Sequence, residues 1–179
     1  MTMLDIALDA DPEWDSSGQI DGGWDALARS AAIAAIAESA FPQLGDGQRS
    51  VELGVRLTGN EEVRALNALW RGKDSATNVL SFPLAEAEEL GEGVADGPEQ
   101  PLARLLMLGD IVLARGVCAA EAADKGIAIE QHASHLLVHG TLHLLGYDHH
   151  DDQAAEDMEA REVRALARLG IANPYTDRG

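Results

Sequence analysis

All six histidines of this 179-residue chain fall between His132 and His150. Successive residues of a helix are turned by about 100°, so His132, His135, His139 and His143 share one narrow helical face. His139 and His143 are four apart, the spacing at which two imidazoles reach one metal ion. Gly146 then gives the helix a natural end, because glycine enters the left-handed region at little steric cost. The chain turns back there and brings Tyr147, Asp148 and His149 over the same point. His139, His143 and His149 would supply three neutral nitrogens to one Zn2+ and leave a fourth position open, the geometry of a catalytic zinc site.

A His-x-x-x-His pair alone is a weak signal. Joined to a helix-ending glycine and a third histidine at this distance, it becomes specific. His132 and His135 read as supporting or packing residues beside the ligands. His150 adjoins His149 and could take its place. Asp148 either orients a ligand histidine or is simply solvated.

The spacing His139-x3-His143-x2-Gly146-x2-His149 matches the zinc-peptidase pattern H-E-x-x-H-x-x-G-x-x-H at every position but one. Gly140 stands where a peptidase carries the glutamate that activates water. Without that carboxylate the usual peptidase chemistry lacks its general base, so peptide hydrolysis is disfavoured.

The rest of the chain reads as one α+β domain over residues 1–179. Leu4, Ile6 and Leu8 alternate with polar or small residues, as do Val51, Leu53, Val55 and Leu57, which predicts two half-buried strands. Apolar residues recur at helical spacing from Trp24 to about Phe41, ended by Pro42. Thr58 or Asn60 can cap a second helix that runs to about Trp70. Asn78 to Phe82 predicts a third strand, and Arg104 to Leu113 a fourth, interrupted by Gly109 and Asp110. Helices follow over about 114–125, 128–145 and 151–169, and the last ten residues read as a polar tail. The expected architecture is a small mixed four-stranded sheet packed with about five helices.

Leu84 to Pro101 carries six acidic residues and no lysine or arginine, and predicts an exposed, mobile acidic loop. Over the whole chain, 13 basic and 31 acidic residues leave a formal charge of −18. Nucleic-acid binding through bulk positive charge is therefore excluded, although a local cationic site is not. The single cysteine, Cys118, permits no internal disulfide and suits a reducing compartment; it reads as a small core residue. The N-terminal stretch is acidic and broken by Pro12, unlike a targeting peptide. No apolar run approaches the roughly 18 residues of a membrane span, so a cytoplasmic protein without a membrane partner is expected. Trp14, Trp24 and Trp70 read as core or edge packing. Arg161, Arg164 and Arg168 lie on one face of the last helix, either solvated, with Asp157 pairing Arg161, or offering a phosphate track.

Arg71 and Lys73 lie between the second helix and the third strand, near the hydroxyls of Thr77 and Ser81. Such a loop can hold an anionic oxyacid such as a phosphodiester; the simpler alternative pairs Arg71 with Asp74. The stretch Asn67-Ala-Leu-Trp-Arg-Gly-Lys-Asp-Ser-Ala-Thr-Asn-Val-Leu-Ser-Phe-Pro83, Gly109-Asp110-Ile111 and the motif His139-Gly-Thr-Leu-His-Leu-Leu-Gly-Tyr-Asp-His149 together closely resemble the YbeY family of bacterial endoribonucleases. The resemblance spans about Val51 to Tyr175.

That resemblance implies a zinc-dependent, single-strand-specific endoribonuclease that matures the 3′ end of 16S rRNA and serves ribosome quality control. It maps the ligands of one Zn2+ onto His139, His143 and His149, and the family's functional arginine onto Arg71. Arg71 and His139 are the catalytic candidates. The implied partners are single-stranded rRNA and the ribosome or a small-subunit ribosomal protein, with no DNA. The charge of −18 repels RNA, so binding needs a focused cationic cleft or a ribosomal partner. Aromatic residues, at 4%, leave few platforms for stacking bases. Two other functions remain open: a different metal-dependent hydrolase, peptidases included, and a non-catalytic ribosome-assembly factor with a structural metal.

Overall fold

A computed structural model describes residues 4–14, 22–45, 50–86, 90, 105–148 and 150–175. Strands β1 (Leu4–Ala10), β2 (Ser50–Thr58), β3 (Val79–Pro83) and β4 (Leu105–Ala114) form one sheet in the order β1-β2-β4-β3. β1, β2 and β4 run parallel, and β3 lies antiparallel at the edge. Among the described residues five α-helices accompany them: α1 (Gly23–Ala37), α2 (Asn60–Arg71), α3 (Arg115–Lys125), α4 (Ile129–Leu144) and α5 (Asp152–Arg168). The mixed α+β architecture expected from the sequence is the one found.

The period-two residues decide which face is covered. Val51, Leu53, Val55 and Leu57 of β2 are buried on the face that packs against α1 and α4. Each such side chain contributes about 1.5–3 kcal/mol when withdrawn from water. On the opposite face α2 packs Val63 against Leu80 of β3 and Val112 of β4. Trp14 and Trp24 are buried in an edge-to-face pair with centroids 5.1 Å apart. Trp70, by contrast, is 66% exposed and stands beside Phe82.

Four local expectations change. Gly109 and Asp110 do not interrupt β4; the strand passes through them on a bulge. Glu52 pairs with Met107 and Leu53 with Gly109, leaving Leu108 as the extra residue. Gly109 has φ of +138°, and a side chain there would collide with the Phe82 carbonyl oxygen. Neither Thr58 nor Asn60 caps α2: Gly59 takes the cap position, and the Asn60 Oδ1 accepts a hydrogen bond from the Val117 N–H at 3.1 Å. Thr58 instead donates to Asp11 Oδ2 at 3.0 Å.

The arginine stripe of α5 is solvated along its outer side, with the Arg164 and Arg168 side chains 52% and 54% exposed, but its guanidinium groups are also engaged by acceptors at the end of α1. Arg164 and Arg168 hold the two carboxylate oxygens of Glu38 at 2.9 and 2.6 Å, and Arg161 donates to the Glu38 carbonyl at 2.7 Å. Arg161 also keeps its pair with Asp157 at 3.0 Å. The stripe thus clamps α5 to the end of α1. Finally, the stretch after α5 is not a bare tail, because Tyr175 packs back on the histidine helix. The acidic loop of 84–101 lies largely outside the described residues; of those described, Leu84 is exposed and Leu90 is buried in the core.

Candidate metal centre

α4 carries the histidines, and its placement follows from Gly140. A Cβ at that position would stand 3.0 Å from the side chain of Ile111 on β4. The missing side chain therefore lets the helix lie close on the sheet. It also gives a physical reason why no glutamate occupies the peptidase position: a carboxylate there would be pressed into apolar core. α4 ends at Leu144, and Gly146, with φ of +98°, turns the chain back as its spacing predicts. Tyr147 pins that turn, its hydroxyl accepting from the Ala40 N–H at 2.9 Å while Arg161 stacks over the ring at 4.8 Å.

His139 and His143 are half-buried, and their Nε2 atoms face each other at 3.0 Å. Two imidazoles bound at about 2.0–2.1 Å to one tetrahedral ion stand about 3.3 Å apart, so this pair needs only a small adjustment to share a cation. The tautomer is fixed from behind. His139 Nδ1 lies 2.6 Å from Glu162 Oε1. A carboxylate only accepts, so His139 carries its proton on Nδ1 and presents the Nε2 lone pair to His143.

Glu162 is 0% exposed and is the centre of a network. Tyr175 donates its hydroxyl proton to Glu162 Oε2 at 2.7 Å, and its oxygen lies 3.2 Å from His135 Nε2. Burial would raise the Glu162 pKa, but hydrogen bonds from His135, His139 and Tyr175 outweigh it and bring it down to about 2. The carboxylate is thus held ionised, the state in which it best supports a metal-binding imidazole. Neither Glu162 nor Tyr175 belongs to the set read from the sequence. A signal for Glu162 exists: it falls at helical spacing with Met158, Ala165 and Leu166, the buried stripe of α5.

His132 and His135 are both buried. His132 Nε2 meets Glu121 Oε1 at 2.8 Å, and the same oxygen accepts from Asn78 Nδ2 at 3.0 Å. This bridge ties the start of β3 to α4. Burial chiefly lowers the His132 pKa, which favours the neutral ring. His150 is turned to Asp151 at 3.3 Å and is exposed, and Asp148 is exposed as well. His149 lies outside the described residues. Among the described residues no group of three or more His, Cys, Asp or Glu is arranged to hold a metal ion; His139 and His143 form the described part of the predicted set.

Arg71 is the last residue of α2 and is exposed, as is Lys73. The alternative pairing with Asp74 is not the one found: Asp74 takes a two-point pair from Arg64, at 2.7 and 3.0 Å. Arg56, Arg64, Arg161, Arg164 and Arg168 are all committed to carboxylates. The chain from Arg71 and Lys73 leads into β3, which packs against α4. Among the described residues no helix is long and apolar enough to cross a membrane.

The solution structure of TM1509 from Thermotoga maritima has this fold: at 21% identity it superposes with a TM-score of 0.52, covering 98% of this chain and 99% of its own. Residues 24–170 match the family model described as endoribonuclease YbeY. Proteins named endoribonuclease YbeY are similar along nearly the whole length. That of Sphingopyxis alaskensis is 49% identical over 98% of this chain and 99% of its own. For Rhizorhabdus wittichii the identity is 47%, over 97% of each chain. The Agrobacterium fabrum protein is 42% identical over 98% of this chain and 96% of its own. With its fold, its paired histidines and relatives of this identity, the chain belongs to the endoribonuclease YbeY family.

Proposed function

We propose that this protein is a metal-dependent endoribonuclease that cuts single-stranded RNA, with one Zn2+ held by His139, His143 and His149. The observation that carries the metal reading is the convergence of His139 and His143 Nε2 at 3.0 Å, with His139 Nδ1 anchored on Glu162. When bound, the ion supplies Lewis acidity toward a phosphoryl oxygen and toward water. Arg71, exposed and outside the ion pairs that occupy the other arginines named above, faces charge developing on the phosphate. Glu162 keeps the proton of His139 on Nδ1, and Gly140 keeps a peptidase-type carboxylate out.

The substrate in the cell is rRNA at the 3′ end of the small-subunit transcript, met in the cytoplasm on or near the ribosome. The family supports this assignment, and so does the charge of −18, which leaves free RNA a poor partner unless it is presented. The whole chain acts as one catalytic domain.

The test is cleavage of single-stranded rRNA by protein of known metal content, with His143→Ala and Arg71→Glu run alongside. Wild type should carry about one zinc per chain and cut, while both variants fail. Equal cutting by all three preparations would mark a contaminant. Zinc without cleavage, even with ribosomes added, would favour an assembly factor with a structural metal.

A further inference from the structure

The face of the sheet covered by α2 is only partly closed. Between α2 and the strands lies a groove of about 740 Å³. Its walls include Leu66 and Trp70 of α2 and Ser81 and Phe82 of β3, and its floor includes Gly54 of β2 and Asp110 of β4. Trp70 is 66% exposed here, although every other tryptophan is buried, and it stands 6.3 Å from Phe82 at an interplanar angle of 64°. We propose that this groove is a nucleobase subsite that prefers guanine, an inference that rests on the RNA-cleaving role proposed above.

The occupant is chosen by three features. An exposed indole beside a second ring offers a planar ligand a stacking surface, and base stacking on aromatics is independent of sequence. Trp70 is followed in the chain by Arg71, with Lys73 two residues on, so two exposed cations stand just past the end of the helix that carries the ring, while Arg56 lines the groove itself. The floor then adds selectivity. The carboxylate of Asp110 is exposed and lies over Gly54, where any side chain would collide with it. A carboxylate presents two acceptors and no donor. Guanine offers N1–H and N2–H side by side and satisfies both oxygens, whereas adenine, cytosine and uracil each offer a single donor group. A basic, apolar peptide would also suit Asp110, but it would be opposed by Arg71 and Lys73 at the same end of α2.

Mononucleotides test this without cleavage, because they contain no phosphodiester linkage to cut. The folded full chain is titrated with GMP, AMP, CMP and UMP while tryptophan emission is followed. Trp14 and Trp24 are buried, so quenching by a stacked base reports Trp70. GMP should bind roughly ten-fold more tightly than the others, the discrimination of one two-point base contact. Asp110→Asn should erase the preference, and Trp70→Leu the quenching, with circular dichroism unchanged. Equal binding of all four nucleotides, or an unaltered preference in Asp110→Asn, overturns the proposal. So does tight binding of a Lys/Leu peptide that GMP fails to displace, which would make the groove a protein-docking site. If GMP selects as expected but RNA is not cut, the endoribonuclease reading fails and the subsite stands. Histidine-dependent cleavage without guanine preference gives the reverse.

Discussion

His139 Nδ1 and Glu162 Oε1 are 2.6 Å apart, although 23 residues separate them in the chain. This bond joins the histidine helix α4 to α5 and decides which nitrogen of His139 is available to a cation. It also makes Glu162 a positioning residue that acts through His139. Glu162→Gln, which can still accept from Nδ1–H but carries no charge, should weaken zinc affinity by about 10-fold to 100-fold. A competition titration with a chromophoric chelator reads this directly, and circular dichroism checks the fold. Tyr175→Phe removes only the outer hydrogen bond, so its effect should be the smaller.

Gly140 faces Ile111 and not open space. Gly140→Ala should therefore cost about 1–3 kcal/mol through overpacking, read as a lower urea midpoint. Gly140→Glu should be still less stable and should gain no peptide hydrolysis. Casein cleavage by that variant would show that the position can face the metal after all.

Arg71 is exposed at the end of a helix, so Arg71→Glu should change the thermal midpoint little. RNA cleavage should nevertheless fall by about 100-fold or more, the scale of losing an electrostatic contact to a reacting phosphate. Arg64→Ala is the matched control. Its exposed pair with Asp74 is of the kind that contributes little, and cleavage should persist.

Cys118 is buried, and burial pushes its thiol up to about 12. Since the thiolate is the reactive form, iodoacetamide at pH 8 should leave the native protein unlabelled and modify it fully in urea. Rapid native labelling would mean that α3 opens readily.

Glu38 is held below its ordinary pKa of 4.5, first by the hydrogen bond from Arg168 and next by that from Arg164. A lowered carboxyl pKa stabilises the fold above the unfolded-state value, and the contribution is lost as pH falls. Glu38→Gln should thus lower the urea midpoint at pH 7, with the gap closing as pH drops below 4.5. A gap independent of pH would mean that the clamp works through packing alone.

Much of this arrangement is legible in the sequence because it repeats with a period. The alternation in Val51 to Leu57 gives a strand, and the spacing from His132 to His143 gives a helix with one polar face. Gly146 marks the end of that helix through a backbone angle few other residues adopt. What is not legible depends on contacts between distant segments. Glu162 sits on the buried stripe of α5, but the arginines of the same helix carry the stronger pattern. Tyr175 lies in a short polar stretch with no period at all. The partner of Asp74 is decided by which arginine α2 points at it, and the bulge at Leu108 by how β4 meets β2.

Zinc-edge X-ray absorption on the purified chain reads the ligands of the ion themselves. Three imidazole nitrogens at about 2.0–2.1 Å and one exchangeable oxygen are expected, with one imidazole lost in His149→Ala. A fourth protein ligand closing the shell, or a spectrum unchanged by that substitution, would contradict the open three-histidine site.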